Sequence, residues 1–246
     1  MYRKTRRFDA LHKRQHPFLR LFRKLLFFVL LVFLFYAVFT SFFANTFRVD
    51  SVSMLPGCEP GDRLVISPLW YGPRIPFTTE RLPGIFNQRR GDIVVLSPPY
   101  RSEAPFLEKL FHPFLDFFTG RRKHFSFTQR HEWDNEYVLR RIIALPGDAV
   151  RIVAGEAYVR PLGTPDFVSE FSLSLSPYEI VRETLPEGWT DSSPLSAYNE
   201  VLLGEDEYFV LADNRKGSLD SRLWGPIHKD RIVTKVLFRY WPIGKR

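Results

Sequence analysis

Arg140-Arg141-Ile142-Ile143-Ala144-Leu145-Pro146-Gly147-Asp148, with Val150 to Val153 behind it, decides the fold class. Two short apolar runs flank a Pro-Gly-Asp turn, and that is the pattern of two strands joined tightly. The same pattern recurs outward from it, at Arg63–Ser67, Asp92–Leu96, Tyr137–Ala144, Tyr208–Leu211 and Ile232–Tyr240. Pro60-Gly61-Asp62 and Arg90-Gly91-Asp92 repeat the turn. In each, glycine supplies an unusual backbone angle and aspartate caps the turn. None has the spacing of a phosphate loop. The chain therefore reads as mostly β.

Two stretches interrupt this rhythm. Residues 156–200 are rich in Ser, Pro and Glu and read as an insertion, a smaller subdomain. Residues 100–132 carry Phe106, Leu107, Leu110, Phe111, Phe114, Leu115, Phe117 and Phe118 at three- and four-residue steps, ahead of Gly120-Arg121-Arg122-Lys123. An apolar stripe ending in a basic cluster suits a membrane interface. Packing on the β body explains it equally well, and Pro113 interrupts any helix there.

Toward the N-terminus, Leu25–Phe43 holds 19 residues without a charge. At 1.5 Å per residue it covers about 28 Å, close to the thickness of a bilayer's hydrocarbon core. A cleaved secretory signal has a shorter apolar region and ends in a small-x-small site. Phe42-Phe43-Ala44-Asn45 is a poor one, so the stretch reads as a retained transmembrane helix. Of 35 Lys and Arg and 27 Asp and Glu, nine bases and one acid lie in residues 1–24, leaving 26 of each beyond. The net charge of +8 thus belongs to a basic tail, which excludes a nucleic-acid role for the rest. Arg48 alone lies between the span and Pro60, so the positive-inside bias places residues 1–24 in the cytoplasm and the domain from 47 to 246 outside. Cys58 is the single cysteine, which rules out an intrachain disulfide. The six histidines show no metal-ligand spacing.

Just past the span stands Ser51-Val52-Ser53-Met54-Leu55-Pro56. Arg90-Gly91-Asp92-Ile93-Val94-Val95 and Arg140 to Asp148 follow, and then Asp213-Asn214-Arg215-x-x-Ser218-x-Asp220-Ser221-Arg222-x-Trp224-Gly225. Four boxes in this order behind one anchor resemble the bacterial type I signal peptidases. Those are membrane-bound serine peptidases that use a lysine as general base, and the strand Thr234–Pro242 resembles their last one. The resemblance implies a signal-peptidase-type β catalytic domain, one transmembrane helix before it, and no cofactor or metal. It makes Ser53 the acylated nucleophile, with Ser51 and the Ser53 N–H as the oxyanion hole. Ser218 would orient the base by a hydrogen bond, Asp220 and Arg222 would pair to hold that loop, and Met54 would serve as packing. Substrates would be exported precursors, bound by strand addition near Phe47–Asp50 and cut after small-x-small.

One part departs from the pattern: Arg140 stands where the family has its lysine. Burial makes a neutral lysine accessible. A guanidinium with a pKa above about 12 costs roughly 8 kcal/mol to neutralise near pH 7. Three readings follow. Another base serves, with His131, Lys123 and Lys216 as candidates; or the chain is a catalytically silent homologue that binds signal peptides or partners; or activity persists weakly through water and the oxyanion hole. Self-cleaving repressors share serine–lysine chemistry but carry a DNA-binding head in place of an anchor. A membrane scaffold would explain the anchor and not the boxes.

Overall fold

The computed structural model describes residues 17–43, 45–73, 82–100, 137–182, 197–216 and 218–242. The stripe at 106–118, Lys123 and His131 lie outside them. The fold is mostly β, as read from the sequence. Eleven described strands form two antiparallel sheets. The larger contains β1 (Asn45–Arg48), β2 (Arg63–Ser67), β3 (Ile93–Leu96), β4 (Val138–Ala144), β9 (Glu207–Leu211), β10 (Ile227–His228) and β11 (Ile232–Trp241). Its spatial order is β1-β2-β11-β3-β4-β9-β10, so the last long strand slots between two early ones. The smaller sheet has the order β7-β6-β5-β8, from β5 (Ala149–Val153), β6 (Glu156–Arg160), β7 (Val168–Ser169) and β8 (Tyr198–Leu202).

The three Gly-Asp turns are built alike. Gly61, Gly91 and Gly147 all have φ between 81 and 95°, where a Cβ is unfavourable. The following aspartates accept the N–H three residues back: Asp62 from Glu59, Asp92 from Arg89 and Asp148 from Leu145. Each turn also anchors a cation, Arg239 on Asp62, Lys235 on Asp92 and Arg90 on Asp148. The turns thus fix both the strand entry and a cross-sheet pair.

Three groups of buried apolar side chains hold the sheets. Val49, Met54, Cys58, Leu64, Ile66, Val95 and Leu139 form one beneath the serine loop. Ile142, Val210, Ile227 and Ile232 centre a second. Ile143, Val150, Ile152, Val159 and Phe209 join the two sheets in the third. Burial of the Cys58 thiol there, reinforced by Asp213 and Asp62, pushes it up to about 11.

The helix α1 (Pro17–Phe42) precedes this body and ends where the Ser67 hydroxyl donates to the Phe43 carbonyl. Among the described residues no helix is long and apolar enough to cross a membrane. The first turns of α1 carry Arg20, Arg23 and Lys24.

Candidate active site

Val52–Met54 forms one 3-10 turn that brings Ser53 to the rim of β4, with Ser51 extended ahead of it at φ −122°. Met54, fully buried, pins the turn from below, and its carbonyl accepts the Cys58 N–H at 2.8 Å. From above, Asn214 holds it twice: its N–H donates to the Ser53 carbonyl at 2.9 Å and its Nδ2 to the Val52 carbonyl at 3.1 Å. Ser51 Oγ and Ser53 Oγ lie 3.0 Å apart. The serine loop and the Asp213–Arg215 loop, 160 residues apart in sequence, are therefore one unit.

Arg140 and Arg141 are neighbours on β4, so their side chains leave by opposite faces. Arg141 makes a bidentate pair with Asp213 at 2.8 and 2.6 Å, donates to the Gly91 carbonyl and lies 4.0 Å from the Tyr178 ring centre. Arg140 turns to the serines. Its Nη1 donates to Ser53 Oγ at 3.0 Å and to the Leu139 carbonyl, while Nε and Nη2 share the Leu219 carbonyl. The guanidinium lies 5.6 Å from the Trp224 ring centre, within cation–π range.

Asp220 is fully buried and takes Arg222 Nε and Nη2 at 2.9 and 2.8 Å. It also caps the one-turn helix Ser221–Trp224 through the Arg222 N–H and accepts the Ala212 N–H. Arg222 Nη1 reaches back to the Arg215 carbonyl. Ser218 stands elsewhere than the resemblance implied. Its hydroxyl donates to the Asn214 carbonyl at 2.7 Å, tying the loop rather than touching Arg140.

The direction of hydrogen bonding in this cluster follows from its donors. A guanidinium has five N–H groups and no acceptor. Ser53 Oγ therefore receives Arg140, and its own proton has one acceptor in reach among the described residues, Ser51 Oγ. A hydroxyl oxygen can accept twice, so either serine can donate to the other while Arg140 donates to Ser53. No described lysine or histidine hydrogen-bonds Ser53 Oγ, and Lys216 is exposed.

Burial pushes Arg140 down to about 10 against the opposing pull of Asp220. That revises the cost of neutralising it. Three units above neutrality is about 4 kcal/mol, half of the roughly 8 kcal/mol expected for an ordinary guanidinium. Arg140 is still a cation at pH 7, with a neutral fraction near one in a thousand.

Two supporting residues lacked a sequence signal. Leu219 acts through its carbonyl, which carries no side-chain signature. Glu170, in the stretch read as an insertion, is buried and pairs with Arg215 at 2.7 Å. Asn214 stood inside its box, yet nothing local showed that it clamps the serine loop.

The family model for signal peptidase, peptidase S26, matches residues 22–241. The chain is 27% identical over 205 residues to a probable signal peptidase I-2 of Synechocystis sp., covering 83% of this chain and 66% of that one. It is 26% identical over 205 residues to the signal peptidase I of Leptolyngbya laminosa, covering 83% and 72%. It is 28% identical over 211 residues to thylakoidal processing peptidase 1 of Arabidopsis thaliana, covering 85% of this chain and 45% of that one. A serine pair on a clamped turn, the paired arginine boxes around it and a match over most of its length agree: the chain belongs to the signal peptidase family, peptidase S26.

Proposed function

We propose that this protein is a membrane-anchored serine endopeptidase that cleaves exported precursors after small-x-small sites through an acyl-enzyme on Ser53. The observation that carries this reading is the 3.0 Å approach of Ser51 Oγ to Ser53 Oγ on a turn clamped by Asn214. It leaves a nucleophile beside a hydroxyl able to donate to a developing oxyanion. Among the described residues β1 lies at one edge of the larger sheet, paired with β2 on one side, and offers an extended precursor its other side. Anchoring rests on the uncharged stretch Leu25–Phe43 and on α1 side chains such as Phe27, Phe28, Leu30, Leu34 and Phe35, all more than half exposed. The basic tail puts residues 1–24 in the cytoplasm and the β domain outside the inner membrane. The domain division follows the same reading, with 25–43 as the span and 47–246 as the catalytic body, inserted at about 100–132 and 156–200.

Arg140 supports a second reading. It donates to Ser53 and accepts nothing, so at neutral pH the nucleophile has no base among the described residues. On that observation the chain is a silent homologue that binds signal peptides without cutting them. Detergent-purified full-length protein with a labelled precursor separates the two. The endopeptidase reading expects slow cleavage at pH 8 that disappears in Ser53→Ala. Absence of cleavage at every pH, with precursor binding retained, would establish the silent reading.

A further inference from the structure

Four arginines among the described residues are buried, and three have a carboxylate: Arg141 with Asp213, Arg215 with Glu170 and Arg222 with Asp220. Arg140, 4% exposed, has none within ion-pair distance among the described residues. Asp220 is the carboxylate whose charge acts on it, but both Asp220 oxygens are occupied by Arg222. A buried cation without a counter-ion is costly unless an anion joins it.

The geometry shows where that anion would sit. Main-chain carbonyls of Leu219 and Leu139 fix the guanidinium, leaving it one side-chain contact, Ser53 Oγ. Ser51 and Ser53 share one hydrogen bond that either hydroxyl can donate, and an entering anion can accept from both hydroxyls in its place. Ser51 is exposed, as are Val52 beside it in sequence and Leu219, whose carbonyl holds Arg140, with 55% and 46% of their surfaces accessible. The site therefore presents two hydroxyl donors backed by a full positive charge, at the mouth of an apolar rim.

We propose that Arg140, Ser53 and Ser51 form a carboxylate-binding subsite that captures the free C-terminus of a peptide ending in small-x-small. The proposal rests on the peptide-binding reading above and adds the terminal charge as the group recognised. An internal peptide bond places a neutral carbonyl at this point, whereas a released N-terminal fragment places a carboxylate there. Charge-assisted hydrogen bonds are about twice as strong as neutral ones, and the gain is larger away from water. The fragment is then held more tightly than the precursor it comes from. In a cleaving enzyme it acts as a competitive inhibitor.

Isothermal titration calorimetry of full-length protein in detergent tests this with two N-acetylated nonapeptides ending Ala-Ser-Ala, one a free acid and one an amide. The acid is expected to bind at least ~10-fold tighter, with that ratio falling to near one in Arg140→Gln and falling in Ser51→Ala. Thermal melting of each variant confirms that it is folded, and the wild-type ratio stands without them. Equal binding of acid and amide would overturn the carboxylate subsite while leaving the peptide groove intact. Binding of neither would remove both. Displacement of the acid by millimolar phosphate would reduce the site to a general anion hole and overturn the peptide part.

Discussion

Arg140→Lys raises kcat/KM for precursor cleavage at pH 8 by about 10²–10⁴, the range a positioned general base contributes. The expectation rests on the niche rather than on the residue now filling it. The surroundings of Arg140 lower its pKa from 12.5 to about 10, mainly through burial. Burial lowers a lysine amine in the same way, and from a lower starting value than a guanidinium's. A far larger share of molecules then holds a neutral nitrogen able to take the Ser53 proton. The wild-type guanidinium is a donor to that oxygen in nearly all of them. The shorter side chain also gives up the Leu219 carbonyl, which removes two bonds that hold the cation. Initial rates beside an Arg140→Lys, Ser53→Ala double variant provide the check. A double variant as active as the single one would mean that the gain does not pass through Ser53.

Asp220→Ala destabilises the protein by about 3–5 kcal/mol, because it leaves the Arg222 guanidinium buried without its carboxylate. Arg222 has 1% of its side chain exposed and Asp220 none, so water cannot replace the lost oxygens. The substitution also removes the acceptor of the Ala212 N–H and the cap of the helix Ser221–Trp224. For a chain of this size the loss corresponds to a melting temperature lower by about 10 °C or more. Asp220→Asn keeps an acceptor and the volume and so costs less. It has a second effect, because Asp220 holds the Arg140 pKa up. Without that charge the Arg140 pKa falls further, and any Ser53-dependent activity shifts to lower pH. A melt that moves by no more than 1–2 °C in Asp220→Ala would show the pair to be replaceable.

Six strands were legible in the sequence because each pairs an apolar run with a Gly or Asp turn that works locally. β2 has the expected bounds, and β3, β4, β5, β9 and β11 end within one residue of them. β1 reads only as an edge near Phe47–Asp50, since four residues are too few for a period. β6, β7, β8 and β10 carry no such signal: the stretch 156–200 is rich in Ser, Pro and Glu, β7 and β10 have two residues each, and β8 pairs with β5, some 45 residues earlier. The slotting of β11 between β2 and β3 has no local signature at all. At the site, residue types were legible and contacts were not. The boxes name Ser51, Ser53, Asp220 and Arg222 but do not say which of their atoms meet. The role of Ser218 differs because hydroxyl direction depends on which carbonyl the folded loop presents. Here that is Asn214.

If Ser53 is the nucleophile, the guanidinium that donates to its oxygen has to lose a proton before the serine can attack. The decisive measurement is the pH dependence of Ser53-dependent cleavage from pH 7 to 10.5, with Ser53→Ala subtracted. A base must be deprotonated to act, so the expected rate rises about tenfold per pH unit and levels above about 10. A rate already level between pH 7 and 8 would contradict it and assign the proton to a group that titrates near neutrality.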